Sequence, residues 1–430
     1  MLENISVDSS LFVLNRLRLI EQLSPNSVVL LCSNDVFPKS GDQSFAFKQN
    51  PDLFYLTGIN QEETYLLLFP NSHYEKYQQI LFIKRSDEDE TIWDGKSLSK
   101  EDASNLSGID TVFWSDEFWS FLPHIVCHSE IIYLNTNEHE RYSSTVAYAD
   151  FRFMELIKAK FPLHHYKRLA PIMRNLRAIK SIQEIELITK ACNITQKAFE
   201  RILKFVKPNV YEYQIEAEII HEFISNRAAG HAYLPIIASG IASCTLHYTK
   251  NNKLCVDGEI LLLDFGAEYY NYNADLTRTI PIGGRFSQRQ RKVYNAVLRV
   301  LRQAKLMLKP GVLLDDYNKD IGLIMQSELI DLGLIDRHDV EKQDASNPLY
   351  RRYFMHGVSH FLGLDVHDIG DRYSPLQVGN VLTCEPGIYI PNENLGIRLE
   401  NDILLTEFGN VDLTDNVPIE ADHIEELMNS

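Results

Sequence analysis

The run Ile260-Leu261-Leu262-Leu263 ends on Asp264-Phe265-Gly266, and an aspartate closing an apolar strand restricts the fold more than any other feature. Burying a carboxylate is costly unless something pairs with it. Eleven residues later, Asp275 lies in Tyr272-Asn273-Ala274-Asp275-Leu276-Thr277-Arg278. If the two runs form a hairpin, the carboxylates can lie across from one another. Two buried like charges repel, so a cation belongs between them, either Arg278 or a metal. A plain reading competes: Asp275 only pairs with Arg278, and Asp264 only caps its strand. On these two residues alone the plain reading is slightly favoured.

Two further segments shift the balance. His356-Gly357-Val358-Ser359-His360 is followed by Asp365-Val366-His367-Asp368, which places three histidines within twelve residues. Histidine is the commonest metal ligand and a frequent acid or base. A lone histidine would be read as ordinary, but three beside an acidic site favour function. The runs Leu382-Thr383-Cys384-Glu385 and Gly396-Ile397-Arg398-Leu399-Glu400 again end on carboxylates. There the bland alternatives are an Arg398–Glu400 salt bridge or charges on an edge strand. Four carboxylates with at least one imidazole suit Mn²⁺, Fe²⁺, Co²⁺ or Zn²⁺. Two such ions about 3.5–4 Å apart form a hydrolytic arrangement that makes hydroxide near neutral pH without a Ser or Cys nucleophile.

A chain of 430 residues is too long for one ordinary core and implies two domains. Its net charge of -17 disfavours non-specific nucleic-acid binding, although a local basic pocket is not excluded. The six cysteines form no C-x-x-C pair and read as reduced thiols of a cytoplasmic protein. No signal peptide or membrane span is expected. No glycine-rich phosphate loop supports a nucleotide role. His221-Glu222-Phe223-Ile224-Ser225 lacks the second histidine of a zinc-protease helix and reads as helix surface.

Strands expected at 28–32, 64–69, 79–84 and 131–134, with helices at 11–22 and 98–106, indicate a small α/β domain over residues 1–171. Pro162 and Pro171 bracket an expected linker. Ser181-Ile182-Gln183-Glu184 is a capping box, opening a helix that should stop before Pro208. Further helices are expected at 213–225 and 288–308, and strands at 260–270, 274–282, 381–385 and 396–406. Residues 172–430 therefore read as α+β, with antiparallel hairpins covered by helices. The polar segment 336–352 has no assigned role.

The order Asp264, Asp275, His360, Glu385, Glu400 in these contexts is similar to the pita-bread (creatinase/aminopeptidase-like) metallopeptidases. Leu246-His247-Tyr248-Thr249, Met355-His356-Gly357, Gly363-Leu364-Asp365-Val366-His367-Asp368 and Glu385-Pro386-Gly387 narrow the resemblance to aminopeptidase P. Gln49-Asn50-Pro51-Asp52-Leu53-Phe54-Tyr55-Leu56-Thr57-Gly58 resembles that family's N-terminal domain. The likeness covers nearly the whole chain.

This resemblance implies a dinuclear metallohydrolase that releases the first residue of peptides with proline at the second position. It implies Asp264 on one metal, Asp275 and Glu400 bridging both, and His360 and Glu385 on the other. Glu385 would also be the general base. His247, His356 and His367 would line the pocket, and Arg398 would hold the ligands from behind. The expected cofactor is two divalent ions, with manganese favoured. Dimers or tetramers are expected, with Trp93 offered to a neighbouring subunit's proline site. Asn271, Ala274 and Asn401 depart from the family pattern at positions that are not ligands. The rivals are a prolidase with the same ligands, a methionine aminopeptidase, for which the extra domain is unexpected, and a non-catalytic binding module.

Overall fold

The strand Ser27–Cys32 reads SVVLLC, lacks polar alternation and is buried throughout. Such a run belongs in the middle of a sheet covered on both faces. In the computed structural model, which describes residues 7–85 and 97–430, it lies inside a six-stranded mixed sheet. The strand order is Val112–Trp114, Gln79–Ile83, Tyr65–Leu68, Ser27–Cys32, Ile131–Leu134, His165–Arg168. Phe118, Leu122 and Ile125 of the helix Phe118–Val126 and Phe153 and Ile157 of the helix Ala149–Lys160 share one apolar cluster with Val28, Leu30 and Leu67.

The stretch between Pro162 and Pro171 is not the expected linker. His165–Arg168 pairs in parallel with Ile131–Leu134 at the sheet edge. Charged, exposed side chains protect an edge strand from pairing with other chains, and that same polarity looks like a linker in sequence. Pro171 stands in the first turn of the helix Ala170–Ala178, where a missing N–H costs nothing. The chain divides into two compact units between Arg177 and Ala178.

In the second unit the helix Ile182–Phe205 opens on the expected capping box. The Glu184 N–H donates to Ser181 Oγ and the Ser181 N–H to Glu184 Oε2 at 2.8 Å. Helices Glu212–Ser225 and Gln288–Met307 follow. The helix Leu314–Asp331 was not expected, though Leu314, Tyr317, Ile321, Met325 and Leu329 are buried at helical spacing.

The expected long strands are broken. Residues 396–406 divide into Leu395–Arg398, which pairs with Gly387–Ile390, and Asn401–Thr406, which pairs with Val381–Cys384. Residues 260–270 divide into Ile260–Asp264 and Ala267–Tyr269, and the next long strand begins only at Thr277. Apolar character continues across each break, so sequence periodicity does not register it. Each break lies beside an acidic residue, where the chain passes from one sheet to another. Gly266 permits one of these crossings: a Cβ there would lie 1.7 Å from the Ala274 carbonyl oxygen.

Gly266→Ala should therefore cost about 3 kcal/mol, the upper end for overpacking. Gly357→Ala, whose Cβ would meet only Asn318 Oδ1 at 3.5 Å, should change stability little. Denaturant unfolding of both variants checks this.

A pH effect is expected in the first unit. Burial pushes the Asp150 carboxyl up to about 6, and its Oδ1 accepts the Phe151 N–H at 2.7 Å. The folded pKa exceeds the unfolded one, so stability is greatest below pH ~4, falls through pH ~6 and is level above. Asp150→Asn should remove this dependence and stabilise the unit by at most about 2–3 kcal/mol at pH 8. Hydrogen exchange of the helix Ala149–Lys160 at pH 5 and 8, corrected for intrinsic rates, measures it.

Candidate metal centre

Asp264 ends the strand Ile260–Asp264 and stands opposite Thr277, so Asp275 lies diagonally beyond the paired register. Both carboxylates are buried. The Tyr233 hydroxyl lies between them, 2.5 Å from Asp264 Oδ1 and hydrogen-bonded to Asp275 Oδ1. Glu400 occupies the crossing between two sheets: its N–H donates to the Thr277 carbonyl at 3.0 Å and its Oε2 accepts the Thr277 hydroxyl at 2.6 Å. Glu385 follows the strand Val381–Cys384 and donates its N–H to Val358 O at 2.8 Å. His360 exchanges backbone and side-chain bonds with Thr383. These bonds bring His360 Nε2 to 3.5 Å from Asp275 Oδ2 and 3.7 Å from Glu385 Oε1.

The plain pairings raised by the sequence do not occur. Arg278 is fully buried and donates to the carbonyls of Pro418, Thr277, Glu400 and Val417. It clamps backbone instead of neutralising Asp275. Arg398 pairs with Asp264, not Glu400, and also donates to Thr277 Oγ1 at 3.1 Å and the Tyr389 hydroxyl at 3.0 Å.

The histidines separate. Burial, with Arg398 nearby, holds His356 down at about 4, so its ring is neutral. Its Nε2 meets the Tyr389 hydroxyl at 2.8 Å, and its Nδ1 lies 3.9 Å from Glu385 Oε2. Burial also pulls His360 down, but the Asp275 hydrogen bond and the Glu385 charge outweigh it and lift the ring to about 9. His367 packs edge-on against His360, with ring centroids 4.5 Å apart. His247 is exposed, close enough for its charge to act on His356. Trp93 lies outside the described residues.

Three site residues escaped the sequence reading. Tyr233 touches both aspartates, yet Gly230-His231-Ala232-Tyr233 carries no pattern that marks it. Thr277 links Glu400 to Arg398, and Tyr389 links His356 to Arg398. Both tyrosine and threonine lie in segments read only for their charged residues.

Burial raises the carboxyls of Asp264 and Glu400, and raises Glu385 to about 7. Their mutual repulsion adds to this, while Arg398 opposes it. Asp264, Asp275, Glu385 and Glu400 thus face one guanidinium and one imidazole with negative charge in excess. One ligand atom each from Asp275, His360 and Glu400 lies within 4.8 Å of the others. Oxygen-rich donors, one imidazole and an uncompensated charge fit divalent cations.

Residues 186–407 match the model of metallopeptidase family M24, and residues 12–145 match the aminopeptidase P N-terminal domain. The chain is 35% identical over 426 residues to an Xaa-Pro aminopeptidase of Haemophilus influenzae, covering 96% of each. It is 34% identical to the Xaa-Pro aminopeptidase of Escherichia coli, covering 97% of each. Its fold is similar to that of zinc-substituted Escherichia coli aminopeptidase P in complex with product, with a TM-score of 0.87, 32% identity and 99% of each chain covered. Helices over antiparallel hairpins, a buried acidic centre and these full-length similarities lead to one assignment: the chain belongs to metallopeptidase family M24, as a pita-bread metalloexopeptidase of the Xaa-Pro aminopeptidase family with an aminopeptidase P N-terminal domain.

Proposed function

We propose that this chain hydrolyses the bond between an N-terminal residue and a following proline, using two divalent ions, with manganese favoured. The observation that carries this reading is the convergence of Asp275, His360 and Glu400 within 4.8 Å inside a site with excess negative charge. Asp264 and Glu385 complete the proposed ligand set. Bound divalent ions supply Lewis acidity and lower the pKa of water, so that hydroxide is available near neutral pH.

The remaining work falls to the chain. Glu385 takes the proton from the attacking water and passes it to the leaving amine. His247 and His367 donate hydrogen bonds to the charge that develops on the carbonyl oxygen, and neutral His356, held by the Gly357 carbonyl and the Tyr389 hydroxyl, lines the pocket beside them. Arg398 holds Asp264 and Tyr389 in place. A prolyl amide has no N–H and a fixed φ, so a pocket shaped for the pyrrolidine ring can select it by packing. The six free cysteines support a reducing, cytoplasmic setting. A homo-oligomer, dimer or tetramer, forms part of the same proposal.

Metal-stripped protein should be inactive on a Xaa-Pro-Yaa tripeptide and regain activity with Mn²⁺, releasing the first residue. The matching Xaa-Pro dipeptide should be cleaved poorly, and the opposite preference would make the chain a prolidase. Glu385→Gln should lower kcat by about 10²–10⁴-fold. Full activity in that variant, with metal content unchanged, would remove Glu385 as the base.

A further inference from the structure

Lys180 and Asp368 form an ion pair at 2.9 Å with both side chains 1% exposed. Neither residue belongs to the ligand set. A buried pair is weak evidence for stability, because desolvation offsets its attraction, so its placement needs another account.

The pair crosses directly over the backbone of the loop that carries the site histidines. A Cβ on Gly363 would lie 2.2 Å from Asp368 Oδ2 and 2.9 Å from Lys180 Cε, so only glycine fits beneath it. The Asp368 N–H donates to the Phe361 carbonyl at 2.8 Å, closing the loop on itself. The same carbonyl lies 3.0 Å from His360 Nδ1. An imidazole whose Nδ1–H is held by a carbonyl presents its Nε2 lone pair on the opposite side. There Nε2 faces Asp275 and Glu385.

The anchor is shared with the neighbouring hairpin. The Gly363 carbonyl accepts both the backbone N–H and the side-chain amide of Asn273, at 2.9 and 3.0 Å. Tyr272 donates to Glu184 Oε1 at 3.0 Å, four residues beyond Lys180. The Lys180 N–H donates to the Gly379 carbonyl at 2.9 Å. One cluster thus joins the start of the helix Ile182–Phe205, the histidine loop and the hairpin leading to Asp275.

We propose that the Lys180–Asp368 pair is a positioning device for the metal centre, locking the 361–368 loop so that the Phe361 carbonyl orients the His360 ring. The proposal rests on the metallopeptidase reading above. Lys180 and Asp368 are positioning residues, acting on the metal only through Phe361 and His360.

The test compares Lys180→Met, Asp368→Asn and Leu329→Ala in the full chain. Leu329 is buried in the helix Leu314–Asp331 and serves as a control for lost stability alone. Calorimetric titration of metal-stripped protein with Mn²⁺ should show about 10–100-fold weaker binding for Lys180→Met, the range for residues that orient ligands. Leu329→Ala should bind like wild type. Hydrogen exchange of the metal-free proteins should show amides of 361–368 exchanging about tenfold faster in Lys180→Met, while the helix Gln288–Met307 is unchanged. If Lys180→Met does not fold, Asp368→Asn decides, with several-fold weaker binding expected. Wild-type affinity and wild-type loop exchange in a folded variant would overturn the proposal. If wild type itself bound no Mn²⁺, the metallopeptidase reading would fail, and the exchange experiment would still decide whether the pair locks the loop.

Discussion

Three buried carboxylates and a fourth, half-buried one gathered around one point are a constraint that the second unit is built to satisfy. Unpaired, Asp264, Asp275, Glu385 and Glu400 would drive one another apart. The fold holds them by placing each at a strand end or a crossing between sheets, with its backbone already bonded. Glu400 is tied to Thr277, Glu385 to Val358 and His360 to Thr383. A ligand fixed on a strand end by a bond to the next segment cannot move without breaking the sheet, which gives a site the rigidity that chemistry requires. What stability the charges cost is offset in the apolar layer behind them, where Leu261, Leu263, Ile280, Leu382, Ile397 and Ile403 join one cluster with the covering helices.

That arrangement explains which parts could be read from the sequence. Helices with a capping box and a regular apolar face were legible: Ser181 with Glu184 marks the start of Ile182–Phe205 without further information. The acidic and histidine residues of the centre were legible as types, because a carboxylate at the end of an apolar run is out of place there. Strand limits were not. Leu399 and Glu400 read as a continuation of the strand before them, yet the chain changes sheets between Arg398 and Asn401. Only partners distant in sequence, Pro386 and Thr277, decide where that change falls. For the same reason the pairing of Arg398 with Asp264, 134 residues apart, could not be chosen over the local pair with Glu400.

Supporting residues were the hardest to read. Tyr233, Thr277 and Tyr389 are common residues in ordinary contexts, and their roles arise from where others place them. Gly363 and Lys180 form a clearer case. Nothing near either residue announces the other, but the glycine is required because the ion pair lies on it. Gly363 has no positive φ, so it is the close approach of the ion pair, and not the backbone conformation, that requires glycine there, whereas Gly357 nearby has room for a Cβ.

The two histidines show how far environment separates residues that sequence makes equivalent. His356 and His360 lie four positions apart in one segment. His356 faces a tyrosine hydroxyl and an arginine, and stays neutral well below physiological pH. His360 faces Asp275 and Glu385, and without a metal it holds a proton up to about 9. That proton and a divalent cation would answer the same excess of charge, so they compete for one position. A site with the carboxyls of Asp264, Glu385 and Glu400 raised and one histidine protonated is already arranged to exchange protons for metal. The neutral His356 beside it needs no such exchange: its Nδ1 meets the Gly357 carbonyl and its Nε2 the Tyr389 hydroxyl, both at 2.8 Å.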